Sequence, residues 1–518
     1  MISFNLSSSL LIAATITTVL ILRILYKYFV KPYFLLQKFK RYKDGLCIYK
    51  PIIGTMREVK VNEYKHEDSA YDIKQRIASD PSLRFVASPL LDRVFVTIYD
   101  ADLIKQFLNK ESLTTIKYTG FIGSMSEFLA NGLVFTEGEH WKRQRKLISQ
   151  VFHFDYMNNS LPTIKATVKE WIEKNCKGSS SSSVNVSQEL KMFTSTVIWR
   201  ILFGEDKFDM NHNEIVTLML ENLALSSELN MSKWNFIFGP WFFRLGLREI
   251  DRKYMRDKKK IKEIFFSKLG QLREKIHQKG DGDRDTSTAV DGSKPKYKNL
   301  IELLLEQAEG FPDLEIVSQI FTFFFAGTDT TSELLTMAHY FLATHPEAQE
   351  KLREEVLNYI GKTEDIRYEH ISKMEYLNAV IKETLRIGSP VLVIAFRTAI
   401  KDFMLSEVEI KKGTVLTASP AAVANNPKIF SNPEQFKPER WIEKTDLGTI
   451  ETSTHLPFSA GARRCIGEQL ALIESKVMLC ELIRRFKIEL KTPYKLKMGV
   501  SVVYHAKPDL NVIYTPLE

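Results

Sequence analysis

A mainly α-helical fold with small β-sheets, preceded by a single N-terminal membrane-spanning helix, is predicted by three features of this 518-residue chain. Helical spacing of apolar residues dominates from about Tyr71 onward. Strand-like runs are short, as at Arg93-Val94-Phe95-Val96-Thr97-Ile98 and Val415-Leu416-Thr417. The stretch from Phe4 to Leu22 carries no charged side chain, and about twenty apolar residues span a bilayer. With 44% hydrophobic and 11% aromatic residues, the remainder can bury one large core or two ordinary ones.

The apolar stretch is followed by Arg23, Lys27, Lys31, Lys38, Lys40, Arg41 and Lys43. A cleaved signal peptide carries its positive charges before the apolar run, so an uncleaved anchor is expected, with the bulk of the chain on the cytosolic side. Ser7, Ser8, Ser9, Thr15, Thr17 and Thr18 make the span only moderately apolar. The expected organisation is an anchor over residues 1–30, a basic linker and hinge over 31–54, and a catalytic domain over 55–518. Pro51 and Gly54 mark turns in the hinge. Residues 178–183, a serine tract, and 279–298, rich in Gly, Asp, Ser and Thr, lack the apolar residues to pack and are expected as flexible surface loops.

The net charge of +9 suits an anionic membrane surface or an acidic protein partner. No nucleic acid is expected, because the basic residues are dispersed and carry no recognised binding motif. The four cysteines, Cys47, Cys176, Cys465 and Cys480, have no spacing that suggests zinc, and a cytosolic domain argues against disulfides.

Cys465 lies in Phe458-Ser459-Ala460-Gly461-Ala462-Arg463-Arg464-Cys465-Ile466-Gly467, between glycines and arginines. Ile466, Leu470, Ile473, Val477 and Cys480 follow at helical spacing, which predicts an amphipathic helix with Cys465 in the loop at its N-terminus. Free N–H groups and the positive end of the helix dipole there stabilise a sulfur anion. Gly461 and Gly467 let backbone approach a flat ligand, and Arg463 and Arg464 supply charge for acidic groups on it. Cys480, inside the apolar stripe, reads as structural.

A second constellation is a long helix from Pro312-Asp313 to His345-Pro346, about 50 Å at 1.5 Å per residue. Its middle reads Ala326-Gly327-Thr328-Asp329-Thr330-Thr331, where hydroxyls compete for backbone carbonyls and open a kink or groove. Asp329 beside Thr330 suits a proton relay through water, while a helix whose acid and alcohol merely satisfy each other is the plainer alternative. Glu383-Thr384-Leu385-Arg386 places a carboxylate and a guanidinium three apart on one helix, where they can pair.

The decapeptide around Cys465 matches the Phe-x-x-Gly-x-Arg-x-Cys-x-Gly signature of the cytochrome P-450 superfamily, the haem-thiolate monooxygenases, and the chain resembles its microsomal branches. The resemblance implies the cytochrome P-450 fold and a non-covalent haem b with the Cys465 thiolate as axial iron ligand. Phe458, Gly461 and Gly467 belong to the same haem-binding signature. Ala326 stands where some fatty-acid hydroxylases carry a glutamate esterified to haem. Asp329 and Thr330 would be the catalytic acid–alcohol pair of the distal helix. Trp141-Lys142-Arg143-Gln144-Arg145 resembles the family's Trp-x-x-x-Arg helix, so Trp141, Arg145, Arg397 and Arg463 would bind the haem propionates. Lys142, Arg143 and Lys146 would be solvated, part of a basic docking face. Arg440, in Phe436-Lys437-Pro438-Glu439-Arg440-Trp441, would join Glu383 and Arg386 in a buried structural network. His455 reads as a hydrogen-bonding loop residue rather than a competing ligand.

The implied reaction inserts one atom of O2 into a hydrophobic substrate of the fatty-acid, sterol or xenobiotic class. No dinucleotide-binding Gly-x-Gly-x-x-Gly follows a strand, so electrons would come from a separate membrane-bound NADPH-dependent flavoprotein reductase, with cytochrome b5 as a second donor. The implied location is the endoplasmic reticulum membrane. Phe321, Phe323, Phe324 and Phe325, with Val391 to Phe396, are either substrate walls or core. The aromatic run 234–243 is either core or a loop dipping into membrane lipid. Two other functions compete: a haem-thiolate isomerase or dehydratase of fatty-acid hydroperoxides, which Asp329 and Thr330 disfavour, and a non-catalytic haem-binding sensor or carrier.

Overall fold

The computed structural model describes residues 6–120, 129–152, 154–176, 181–204, 212–230, 232, 234, 239, 241–280, 299–306, 311–443, 454–501 and 503–517. Helices predominate, and the chain divides into two units. The first is Met1–Tyr118 with Val391–Glu434 and Asp446–Arg464; the second is Thr119–Pro390 with Gln435–Thr445 and Cys465–Glu518.

The first unit is built on a six-stranded sheet in the order Gly45–Cys47, Phe85–Leu90, Arg93–Ile98, Val415–Ala418, Ile394–Ala399, Thr115–Lys117. Phe85–Leu90 and Arg93–Ile98 form an antiparallel pair with Phe85 opposite Ile98, and Arg93–Ile98 runs parallel to Val415–Ala418. Phe85–Leu90 is buried at every position, so both of its faces are covered and it reads as an apolar run without alternation. Helix Ala101–Thr114 adds Leu103, Ile104, Phe107 and Leu108 to this core.

Residues 31–54, expected as linker and hinge, carry structure of their own. Leu36 and Phe39 are buried in the same core, and Gly45–Cys47 is an edge strand parallel to Phe85–Ala87. The N-terminal helix Leu6–Leu25 continues through a π-helical turn, Tyr26–Val30, into Lys31–Gln37. Within it, Ala13–Gln37 is long and apolar enough to cross a membrane, at a mean hydropathy of 1.5.

The second unit is organised by helix Asp313–Thr344, 32 residues long, flanked by Val186–Phe203, His212–Asn230, Glu249–Gly280 and Glu468–Ile483. A three-stranded sheet places Asn511–Pro516 between Phe486–Leu490 and Ser182–Asn185. The serine tract is therefore only partly a loop: Ser182 and Ser183 pair with Tyr514 and Ile513, because a ladder of backbone bonds needs no apolar side chain. Residues 177–180 lie outside the described residues. Of the second expected loop, Lys279 and Gly280 close the helix Glu249–Gly280, and 281–298 lie outside the described residues.

Helix Glu468–Ile483 corrects the expected amphipathic pattern. Leu470, Ile473, Val477 and Cys480 are buried, and so are Glu474, Ser475, Met478 and Leu479. It packs against Phe154–Asn175, Asp313–Thr344 and Pro346–Ile360, so it is enclosed around most of its girth.

The turn Gly461–Arg463 rests on the end of Ala101–Thr114. Gly461 has φ +71°, and a Cβ there would stand 2.7 Å from the Leu108 carbonyl oxygen. Protein backbone alone therefore requires the glycine, a constraint separate from the expected approach to a flat ligand. Gly461→Ala should cost about 1–3 kcal/mol, from the left-handed φ and the displaced carbonyl, and lower the thermal unfolding midpoint. An unchanged midpoint would mean that the loop does not rest on Leu108.

Candidate active site

The long helix keeps α-helical pairing through its centre, where side chains tap its carbonyls. Thr330 Oγ1 donates to the Ala326 carbonyl at 2.6 Å, and Thr194, on Val186–Phe203, donates to the Thr328 carbonyl at 3.0 Å. Gly327 faces that second helix: a Cβ there would meet Ile198 Cδ1 at 3.3 Å, so the glycine permits close helix packing. Asp329 is nearly buried, with the Lys191 ammonium 3.7 Å from its Oδ1. Burial raises its pKa above the usual carboxylate range, against the opposing pull of Lys191 and His505.

One turn back lies an apolar cavity of about 400 Å³, its open mouth included. Phe321, Phe324 and Phe325 line it from the long helix, and Met219 and Leu223 from His212–Asn230. Asn222, Ser226 and Tyr254 add polar groups, and Asn222 Nδ2 donates to the Tyr254 carbonyl at 3.1 Å. Phe323 instead stacks on Phe152 with centroids 5.1 Å apart. The phenylalanine run thus divides between wall and core. In the first unit, residues 391–395 are half-buried and Phe396 is exposed, so they are not closed core. In the aromatic run Phe243 is core, whereas Trp234 and Trp241 are exposed and pack against Phe242; 235–238 and 240 lie outside the described residues.

Cys465 is exposed two residues before Gly467, the N-cap of Glu468–Ile483. A Cβ at Gly467 would meet no atom within 4 Å, so there is open space at the start of the helix. The other thiols differ: burial pushes Cys176 up to about 12 and Cys480 higher. Arg145 lies in Gly138–Ile148, one turn after Trp141. Its guanidinium is half-buried, and no hydrogen bond or ion pair links it to another side chain among the described residues. Burial lowers its pKa, and Cys465 opposes that shift. A half-buried cation with an open hydrogen-bonding fork fits a propionate. Among the described residues no three His, Cys, Asp or Glu side chains gather as a metal site, and the Cys465 sulfur would serve haem, a group that needs one such protein donor. The donor set therefore fits haem. Arg397, Phe458, Gly461 and Arg463 belong to the first unit. Arg397 is buried on strand Ile394–Ala399, donating to the Thr115 hydroxyl at 3.1 Å and carbonyl at 3.2 Å. Arg463, Phe458 and His455 are half-buried.

Glu383 is fully buried and accepts five donors. Arg386 reaches it through Nε and Nη2 at 2.9 and 2.8 Å, and Arg440 through Nε at 2.8 Å. The Lys437 backbone N–H adds 3.0 Å and the Trp441 indole N–H 2.9 Å. The Gln435 carbonyl accepts from both guanidiniums, partly offsetting two cations against one anion. Trp441 and the two backbone groups leave no spacing pattern by which the sequence would reveal them.

A second buried carboxylate, Glu315, was not visible in the sequence. It takes His140 at 3.0 Å, Arg143 at 3.2 Å and Gln144 at 2.6 Å, which ties the Trp141 helix to the long helix. Arg143 is exposed, as expected of a solvated residue, and from there also reaches Glu315 and lies over the Phe311 ring. The available signal was the shared face of His140, Arg143 and Gln144. Lys142 pairs with Glu139 at the surface.

Glu383→Ala leaves Arg386 and Arg440 buried without their carboxylate, and about 3–5 kcal/mol of stability should be lost, read as a large fall in folded yield and denaturant midpoint. Wild-type stability in the variant would show that the network contributes nothing.

The model of the cytochrome P-450 family matches residues 84–510. Cytochrome P-450 734A1 of Arabidopsis thaliana is 29% identical over 404 residues, covering 77% of this chain and 74% of its own. Cytochrome P-450 4A10 of Rattus norvegicus is 26% identical, with 76% of each chain covered. Among solved structures, retinoic-acid-bound cyanobacterial CYP120A1 superposes with a TM-score of 0.72 at 20% identity, over 91% of this chain and 99% of that one, and shows the fold. With most of its length matched, the chain belongs to the cytochrome P-450 family of oxidoreductases, monooxygenases that use a cysteine-ligated haem b.

Proposed function

We propose that this chain inserts one atom of O2 into a hydrophobic substrate of the fatty-acid, sterol or xenobiotic class, with Cys465 as the haem ligand and Asp329 and Thr330 as the proton-delivering pair. The observation that carries the reading is the continuity of one helix. Phe321, Phe324 and Phe325 line the apolar cavity, and Thr330 stands five residues beyond Phe325, about 7.5 Å along the axis. Substrate and proton donor are thereby held in register by a single rigid element.

Trp141 and Arg145, which belong to the same unit as Cys465, would hold a haem propionate. Cys465 would hold the haem through its sulfur, and a haem so held would supply the iron chemistry of O2 activation. The apolar cavity wall desolvates the substrate and orients it by shape, since the polar groups among its described lining residues are neutral. The Thr330 hydroxyl, held on the Ala326 carbonyl, is positioned to pass a proton, and Asp329 replenishes it through water. Lys191 stands at the outer side of Asp329, half-exposed, and links the carboxyl to solvent.

Electrons would come from a separate NADPH-dependent flavoprotein reductase, with cytochrome b5 as a second donor. The apolar span Ala13–Gln37 and the basic residues within and after it support a single-pass anchor in the endoplasmic reticulum membrane with the catalytic domain cytosolic. Exposed Trp234 and Trp241 would add a contact with lipid.

Full-length protein combined with such a reductase and a lipid extract should consume NADPH and yield products heavier by one oxygen. Turnover of fatty-acid hydroperoxides without NADPH would favour the isomerase reading instead. Thr330→Ala should keep NADPH consumption while product falls about tenfold and peroxide appears. Intact coupling in that variant would remove Thr330 from the relay.

A further inference from the structure

Glu333 sits one helical turn beyond Asp329 on the long helix, a spacing that puts both carboxyls on one face. It is 5% exposed. Among the described residues its one hydrogen bond comes from the Ala506 backbone N–H, 2.9 Å from Oε1, and no cation pairs with it. The two acids therefore have different partners: Asp329 has an ammonium that reaches solvent, and Glu333 has an amide of the strand Tyr504–Lys507.

The charged and titratable groups around this pair come from several elements. Lys191 faces both carboxyls from Val186–Phe203, and His505 faces Asp329. Asp509 acts on Glu333, Glu333 on the Tyr494 phenol, and Lys507 on His505. The His505 ring is tied through Nδ1 to the Val503 carbonyl at 3.0 Å. Burial dominates at Glu333 and lifts its pKa from the ordinary 4.5 to about 8, with Asp329 and Asp509 pushing the same way against Ala506 and Lys191.

We propose that Glu333 is a positioning residue for proton delivery, holding the proton that restores Asp329 after Asp329 has released one toward Thr330. The inference rests on the relay reading of Asp329. The proton moves from the Glu333 carboxyl O–H to a carboxylate oxygen of Asp329, directly or through one water. Glu333 is left ionised until solvent protons arrive along the Lys191 and His505 edge. No electron changes place. A buried acid kept neutral at working pH is what such a reserve requires, because an ionised carboxylate has nothing to give.

The test compares wild type, Glu333→Gln and Asp329→Asn as full-length holoenzymes with reductase, beside infrared difference spectra of the resting proteins. Gln keeps an oxygen for the Ala506 N–H but holds no exchangeable acid proton. The wild-type minus Glu333→Gln spectrum should contain a protonated-carboxyl band at neutral pH that titrates away as pH passes about 8. The sign of the linkage gives a second readout. A carboxyl protonated in the folded state and ionised in the unfolded one loses stability as pH rises from 4.5 toward 8, so the wild-type unfolding midpoint should fall across that window relative to Glu333→Gln. In turnover, wild-type coupling of NADPH to product should decline above pH 8, whereas Glu333→Gln should be several-fold uncoupled at pH 7 without that decline and show a larger solvent deuterium isotope effect. Absence of the carboxyl band from the difference spectrum overturns the proposal; should the Gln variant fold poorly, Glu333→Asp serves in its place, where the band should shift, and an unmoved band overturns the proposal. Wild-type coupling in Glu333→Gln also overturns it while leaving the relay intact if Asp329→Asn uncouples. Full coupling in Asp329→Asn removes the relay reading itself.

Discussion

Everything assigned to the second unit depends on how a 32-residue helix is buried along most of its length while carrying polar groups. Such a helix normally reads as apolar all round, yet this one carries Glu315, Gln319, Thr328, Asp329, Thr330 and Glu333. They differ in how completely they are partnered, and among the described residues Thr328 Oγ1 has no hydrogen-bond partner. Glu315 is neutralised by His140, Arg143 and Gln144, and Gln319 accepts the Leu133 N–H at 3.0 Å. Thr330 bonds back to its own helix. Satisfied groups at the N-terminal end fix the helix against Gly138–Ile148. Under the proposed relay, the less completely partnered acids in the middle would be the ones that exchange protons, so structural and chemical roles would be separated along one axis.

The Glu383 network shows the fully partnered extreme. Five donors on one carboxylate, with a carbonyl shared between two guanidiniums, fix the geometry of Glu375–Ile387 against Pro438–Trp441. No proton is free to move there, and the cluster's value lies in specifying one arrangement of chain. Glu333, with a single amide, is the opposite extreme, and Glu474 is a further case: buried, its Oε2 without a hydrogen-bond partner among the described residues, and its pKa raised by burial.

Some of this was legible in the sequence and some was not, for identifiable reasons. The long helix, strand Arg93–Ile98 and the Glu383–Arg386 spacing are local patterns, and local patterns survive in sequence. Gly45–Cys47 and Ser182–Asn185 escaped because short edge strands pair through backbone alone and ask little of their side chains. Glu315 escaped because its partners lie more than 170 positions away. The helix after Cys465 misled, since its apolar stripe concealed that Glu474 and Ser475 on the other faces are buried as well. Gly461 is expected near a flat ligand and Gly327 in a weakened helix centre; the neighbours a side chain would meet there, the Leu108 carbonyl and Ile198, are distant in sequence and leave no local pattern.

The central claim is that Cys465, of four cysteines, is the thiolate that holds the haem iron. Its exposure at the start of Glu468–Ile483 sets it apart from buried Cys480. The most direct measurement is the carbon monoxide difference spectrum of the reduced full-length protein in wild type, Cys465→Ser and Cys480→Ser. The account predicts a thiolate-type band in wild type and in Cys480→Ser, and its loss in Cys465→Ser. A thiolate-type band that survives Cys465→Ser would contradict it.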